Sequence, residues 1–403
     1  MLLIRNCRVF DGVNSALREN ATIAIEADEI RDVSERPSAA PPGAVALDAG
    51  GRVVIPGLID AHFHAYATTA RISALERIPP ALRAHQARPL LEAALLRGFT
   101  TVRDAAGADA GLAAAVDAGL IDGPRMFFGG RALSPTGGHG DTREAYEPCG
   151  CDCAVLSQVV DGVDAVRAAT RDELRKGAHH IKIFVSGGVA SPTDPIWSQQ
   201  YSDDEIRAIA WEANARRSYV LAHAYTAESI ARAVACGVRS IEHGNLIDAP
   251  TAKAVAKASA FVVPTLVTYE ALAAFGAEAL PPSGIEKLNV VRAKGLEAIE
   301  ICRKAGVKLG FGTDLLGPMH AWESREFGLR ARVEKPVDIL RSATSVNAEL
   351  LQRPGLLGTI APGAKADLLV VEGNPLEDIA ILERPERSLV AIVKDGRIVR
   401  SSL

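Results

Sequence analysis

The sequence predicts an α/β protein, a (β/α)8 TIM barrel with a small β-sandwich built from both termini. Three observations predict it. From about residue 56 to about residue 352, short β-branched or aromatic runs alternate with Ala-, Leu-, Arg- and Glu-rich stretches of helical character, the pattern of βα units and a parallel sheet. The strand-like runs are 53–59, 100–104, 126–130, 181–185, 220–224, 240–243, 261–265 and 307–312, and eight is the strand number of a closed barrel. The two ends of the chain have a different texture, alternating apolar and polar residues over short runs separated by turns. The expected organisation is therefore 1–55 as the N-terminal part of the sandwich, 56–352 as the barrel and 353–403 as the C-terminal part.

At the N-terminal end the alternating runs are Leu2-Leu3-Ile4-Arg5, Ala21 to Ile25 and Glu29 to Val33, with a loop from Pro37 to Gly43. At the C-terminal end they are Ala366 to Val371 and Leu389 to Val399, the latter broken by Asp395-Gly396, a tight hairpin turn. A small sheet from either end alone would be marginal, so the two ends are expected to pair. Inside the barrel region the helical stretches are 81–96, 163–176, 203–215, 227–235, 249–258 and 285–305. The start of the third is the clearest: Ser202 with Glu205 three residues on reads as a capping box.

Composition narrows the function classes. The chain has 403 residues, 48% of them hydrophobic, enough for one large domain plus a smaller one with a substantial core. A formal net charge of −4 with both signs interspersed provides no basic field for nucleic acid or anionic membrane. No run approaches the roughly 18–20 apolar residues of a membrane span, and no basic start followed by an apolar block is present, so the cytoplasm is the default compartment. Six cysteines stand at 7, 149, 151, 153, 236 and 302. The Cys149, Cys151 and Cys153 spacing is tighter than the Cys-x-x-Cys metal knuckle and reads as a loop of reduced thiols, with an accessory metal or redox site as the alternative.

The chemistry concentrates at the C-terminal ends of the expected strands, which in a barrel converge on one mouth. The first ends in His62 and His64; a strand's period of two puts both imidazoles on one face, a chelate suited to Zn²⁺ or a similar divalent ion. One such pair is weak by itself. The fourth strand carries Lys182, the fifth ends in His223, the sixth in His243, and Asp314 follows the eighth. Four histidines, a carboxylate and a lysine so placed are hard to explain as packing, since each would be a separate buried polar group. Lys182 is the odd member, because an ammonium has no lone pair and repels a cation. A carbamate formed with CO₂ inverts its charge and could bridge two metals, with Asp314 binding one and accepting a proton from water. An unmodified lysine in a salt bridge with Asp314 is the alternative.

The string Pro56-Gly57-Leu58-Ile59-Asp60-Ala61-His62-Phe63-His64 resembles the signature of the amidohydrolase superfamily of metal-dependent hydrolases. The resemblance extends along nearly the whole chain through His180-Ile181-Lys182, Ser186-Gly187-Gly188, Ala222-His223-Ala224-Tyr225, Ile241-Glu242-His243-Gly244, Gly312-Thr313-Asp314 and the closing Gly358 to Leu368. It implies a binuclear zinc site, with His62, His64, carboxylated Lys182 and Asp314 around one ion and Lys182, His223 and His243 around the other. Within the superfamily the motifs look most like the imidazolonepropionase-related branch that contains prolidase-like dipeptidases, Arg/Lys carboxypeptidases and amidases of N-acyl amino acids.

The resemblance implies hydrolysis of an amide or peptide bond of a small-molecule substrate, a dipeptide (Xaa-Pro or another C-terminal residue) or an N-acyl amino acid. Divalent metals lower the pKa of bound water from about 15.7 toward about 7, and Asp314 would move the proton to the leaving amine. Tyr225, two residues past His223, is a candidate to polarise the carbonyl, or else an amphipathic tyrosine at the barrel rim. His139, in Thr136-Gly137-Gly138-His139-Gly140, could bind a substrate carboxylate or oxyanion, or belong to a flexible surface loop. The resemblance leaves room for a homo-oligomer. The competing readings are a lactonase or cyclic-amide hydrolase and, in another class, a non-catalytic ligand-binding barrel.

Overall fold

The alternation of Leu2, Ile4, Cys7 and Val9 puts one face of the first strand, Leu2–Val9, into a core shared with Ala21, Ile23 and Ile25 of Arg18–Glu26, its antiparallel partner. The computed structural model describes residues 1–35, 43–143, 155–191, 193–280 and 282–403. Among them, one eight-stranded sheet draws on both ends of the chain. Its order is Arg397–Ser401, Leu389–Lys394, Leu368–Val371, Val53–Pro56, Leu2–Val9, Arg18–Glu26 and Glu29–Ser34, with Val45–Asp48 also pairing with Leu2–Val9. Leu368, Val370, Ala391 and Val393 complete that core from the C-terminal side. These strands fall in one unit of the chain, Met1–Asp60, Glu92–Thr101 and Ser324–Leu403.

The second unit, Ala61–Leu91 with Val102–Glu323, is α/β with a parallel sheet. Seven strands run in the order Ser157–Val159, Ala132–Ser134, Ile181–Phe184, Val220–Thr226, Ser240–Leu246, Phe261–Val263 and Lys308–Leu309, every neighbouring pair parallel. Parallel strands require crossovers, and helices supply them. Asp203–Ala215 starts on the expected capping box of Ser202 and Glu205, Ala227–Ala235 on Thr226 and Ala249–Lys257 on Asp248. The middle strands are buried along almost their whole length, because helices cover a parallel sheet on its faces. A further sheet joins Leu58–Phe63, Phe99–Asp104 and Arg125–Phe128. No helix among the described residues is long and apolar enough to cross a membrane.

Three differences from the sequence reading have physical causes. The expected strand 53–59 is two strands, Val53–Pro56 and Leu58–Phe63, serving different sheets. Gly57 makes the break: its N–H donates to Asp367 O at 2.8 Å, and the Thr100 side chain fills the place a Cβ would take. The expected helix 285–305 is also two, Pro282–Arg292 and Gly295–Ala305, where the Leu266 side chain packs onto Gly295. Strands Ala132–Ser134 and Ser157–Val159 are three residues each, too short to register as a period. Cys149, Cys151 and Cys153 lie outside the described residues.

Gly57→Ala should therefore act as an overpacking substitution, because Thr100 is itself buried and its β-branched side chain has little room to turn. A loss of about 1–3 kcal/mol in denaturant unfolding is expected; unchanged stability would show that the break at Gly57 has another cause.

Candidate active site

One cavity of about 480 Å³ in the second unit is lined by His62, His64, Lys182, His223, His243 and Asp314, together with Tyr225 and His139. They arrive from several separate pieces of backbone. His62 stands one residue before the end of the buried strand Leu58–Phe63 and His64 follows it; Lys182, His223 and His243 stand in Ile181–Phe184, Val220–Thr226 and Ser240–Leu246. Asp314 is brought in by backbone bonding, its N–H donating to His62 O at 2.7 Å. Asp314 and His243 both adopt left-handed backbone, φ 53° and 73°, a conformation that costs a non-glycine residue of order 1–3 kcal/mol and concentrates at functional sites.

Asp314 Oδ1 lies 3.1 Å from His64 Nε2 and 3.5 Å from His62 Nε2, while Oδ2 is 4.0 Å from His243 Nδ1. His62, His243 and Asp314 each offer a ligand atom, all within 4.8 Å of one another. Among the described residues Lys182 forms no ion pair with Asp314; its Nζ sits over the Phe184 ring, 5.6 Å from the centroid. Burial pushes its ammonium down to about 8.

The four histidines share a pattern. One nitrogen of each ring is held by the protein: His62 Nδ1 donates to Glu242 Oε2 (2.6 Å), His64 Nδ1 to Ala106 O (3.0 Å), His223 Nε2 to Gly187 O (3.2 Å), and His243 Nδ1 meets Thr265 Oγ1 (2.8 Å). The opposite nitrogens of His62 and His64 face Asp314, and a ring fixed through one nitrogen is the arrangement that orients imidazoles for a metal. Burial holds the His62 and His223 rings well below the ordinary imidazole range and pushes His243 down to about 4, which keeps them neutral with a lone pair to offer. At His64 burial acts the same way, but the bonded Asp314 carboxylate outweighs it and raises the ring.

Sequence reasoning missed the support beneath His62. Glu242, fully buried, accepts from His62, from Ser240 Oγ (2.5 Å) and from Arg103 Nη2 (2.8 Å to Oε1, 2.9 Å to Oε2). Arg103, equally buried, also donates from Nε to Ala61 O at 2.5 Å. The available signal was an arginine and a glutamate inside otherwise apolar strands, which burial tolerates only when they are paired. Tyr269 was also missed: its hydroxyl lies 3.2 Å from the Tyr225 hydroxyl and 3.2 Å from Asn245 Oδ1. Tyr225 is itself buried, and that burial pushes its phenol well above the ordinary value, so it keeps its proton.

His139 stacks on His223, ring centroids 4.4 Å apart, and its Nδ1 lies 2.7 Å from Ser191 Oγ. The Gly188 in Ser186-Gly187-Gly188 has a steric purpose, since a Cβ there would run into the His139 ring. His180 is a packed core residue, its Nε2 donating to Asp104 O at 3.0 Å. His320 is buried against Phe63 with centroids 4.6 Å apart.

Residues 53–399 match the model of the amidohydrolase family. The ochratoxinase of Aspergillus niger is 31% identical over 371 residues, covering 86% of this chain and 76% of that protein. A prolidase crystallised with N-methylphosphonate-L-proline superposes with a TM-score of 0.97 at 49% identity, with all of both chains covered. A Xaa-Pro dipeptidase with methionine bound in its active site superposes with a TM-score of 0.90 at 29% identity, covering 99% of this chain and 100% of that one.

Glu242→Gln tests the support beneath His62. It preserves shape but leaves the buried Arg103 guanidinium without its counter-charge, so unfolding should become easier by about 3–5 kcal/mol. Divalent-ion affinity, followed by titration, should fall roughly 10–100-fold; wild-type affinity would mean that Glu242 does not orient His62.

Proposed function

This chain belongs to the amidohydrolase family and is a hydrolase, and from that premise we propose that it cleaves the amide or peptide bond of a dipeptide, Xaa-Pro or with another C-terminal residue, or of an N-acyl amino acid. The observation that carries the reading is the set of four histidines lining one cavity with Asp314, each ring anchored through one nitrogen. Barrel closure is supported by the bond from Ala61 N to Phe311 O at 2.8 Å, which ties the first strand after the break to the chain following Lys308–Leu309. Residues 1–55 and 353–403 then make one β-sandwich and 56–352 the barrel.

The donor set fits two divalent ions. His62, His64, Lys182 and Asp314 would hold one and Lys182, His223 and His243 the other, Zn²⁺ being a natural match for imidazole and carboxylate ligands. Lys182 takes part as a carbamate: its neutral amine adds to CO₂ and loses a proton, leaving an anion with two oxygen donors. Burial favours this, because a lysine pushed down to about 8 has an accessible neutral form near physiological pH. When bound, the ions would acidify water and polarise the scissile carbonyl.

The chain's own groups handle protons and orientation. Burial pushes the Asp314 carboxyl up, but His62, His64 and His243 outweigh it and hold the group well below the usual carboxylate range. Asp314 is therefore an anion that can take a proton from the attacking water and pass it to the leaving amine, without which an amine is a poor leaving group. The protonated Tyr225 phenol donates to the carbonyl oxygen as charge builds there. His139, lining the same cavity, binds the substrate carboxylate or the developing oxyanion. Leu156, Val189, Leu272 and Leu280 give the cavity an apolar wall for the acyl side.

A hydrolysis screen of the metal-loaded protein, supplied with bicarbonate, tests the reading. Dipeptides and N-acyl amino acids covering all C-terminal residue types should include substrates, while their carboxamide counterparts and lactones should be turned over far less. Asp314→Asn should lower kcat on the best substrate by about 10²–10⁴-fold. Full turnover by that variant would remove the proton-transfer assignment, and preference for lactones would replace the substrate class.

A further inference from the structure

The His139 ring sits at the end of a chain of polar contacts that the proposed reaction does not by itself require. Asp194, 3% exposed, accepts from Gly188 N at 2.9 Å and from Gln200 Nε2 at 3.0 Å, both through Oδ2. Its Oδ1 accepts from the Ser191 hydroxyl. A carboxylate can only accept, so the Ser191 proton is committed to Asp194, and Ser191 Oγ must accept the 2.7 Å bond from His139 Nδ1. This proton count places a hydrogen on Nδ1. Asp194 Oδ2 stands 3.6 Å from the same nitrogen, and Gln200 Oε1 accepts from the His139 backbone N–H at 2.9 Å. Among the described residues, Nε2 has no partner.

The turn that carries Ser191 and Asp194 converges on a single ammonium. Lys287, from helix Pro282–Arg292, donates to Gly188 O at 3.0 Å, Ser191 O at 2.9 Å and Asp194 O at 2.7 Å. Its three N–H bonds are thus all engaged by carbonyls, and the Asp194 carboxylate is 3.9 Å away. Three carbonyl dipoles turned to one point repel one another unless a cation occupies it. Without Lys287 the turn keeps the Asp194 bonds but loses the ion that draws these carbonyls together, and Gly188, on which the His139 ring rests, belongs to it.

We propose that Lys287 and Asp194 are positioning residues for His139: the ammonium fixes the turn, and the turn's Ser191 hydroxyl and Asp194 carboxylate hold Nδ1 so that Nε2 is presented to the cavity beside His223. The substrate role of His139 comes from the reading above; the seating of its ring does not depend on it.

Two measurements on the full chain test this. In the first, ¹⁵N-imidazole spectra, with the His139 signals assigned by their loss in His139→Ala, should show a bonded Nδ1–H in wild type and its loss or exchange broadening in Lys287→Met. The second is a double-mutant cycle on the best substrate of the screen. Lys287→Met should reduce kcat/KM about 10-fold or more with His139 present and less than 2-fold in the His139→Ala background, because the effect travels through that ring. If Lys287→Met does not fold, Ser191→Ala, which removes the Nδ1 partner and leaves the Lys287 bonds intact, should give the same two results. An unchanged His139 spectrum, or equal losses in both backgrounds, would overturn the proposal. A wild type that hydrolyses nothing in the screen would defeat the functional reading alone, since the spectra still decide how His139 is seated.

Discussion

The buried pair of Glu242 and Arg103 is the constraint on which the site depends. Both side chains are fully removed from water, and between them they bond the His62 ring, Ser240 Oγ and the Ala61 carbonyl. An ion pair so deep in a protein brings little net stability, since the desolvation of both charges opposes their attraction. What it provides is direction. A negative charge locked against Nδ1 keeps the His62 proton on that side and turns Nε2 toward Asp314.

The other histidines are fixed by cheaper means, a carbonyl for His64 and His223 and a hydroxyl for His243. The resulting cluster would be unfavourable as packing. It buries several polar groups in one place and holds His243 and Asp314 in left-handed backbone. Such features persist when the surrounding fold over-determines them, and here the parallel strands and the bond from Asp314 N to His62 O do so. The arrangement makes chemical sense if these imidazoles and Asp314 serve the cation centre proposed above.

Much of this could be read in the sequence because strand ends carry it. His62, His64, Lys182, His223, His243 and Asp314 are polar residues within or just after short apolar runs, and parallel strands bring such positions to one side. All six line the same cavity, with Tyr225 and His139. What could not be read is held by contacts between segments far apart in the chain. Glu242 lies one residue before His243 and looked like a neighbour of a ligand, not the partner of His62, 180 positions away. Lys287 is in sequence one charge within a helical stretch, and only the three carbonyls around it give it a purpose. The break at Gly57 was hidden for the same reason: Thr100, which makes it necessary, is on another strand.

We propose one centre for two ions, formed by six side chains with Lys182 shared between them. Metal content per chain, measured by elemental analysis after loading in bicarbonate and removal of free ion, tests it most directly when wild type is compared with Lys182→Met. About two ions are expected per wild-type chain and one or none in the variant, with the fold retained. Two tightly held ions in Lys182→Met, or a single ion in fully loaded wild type, would contradict it.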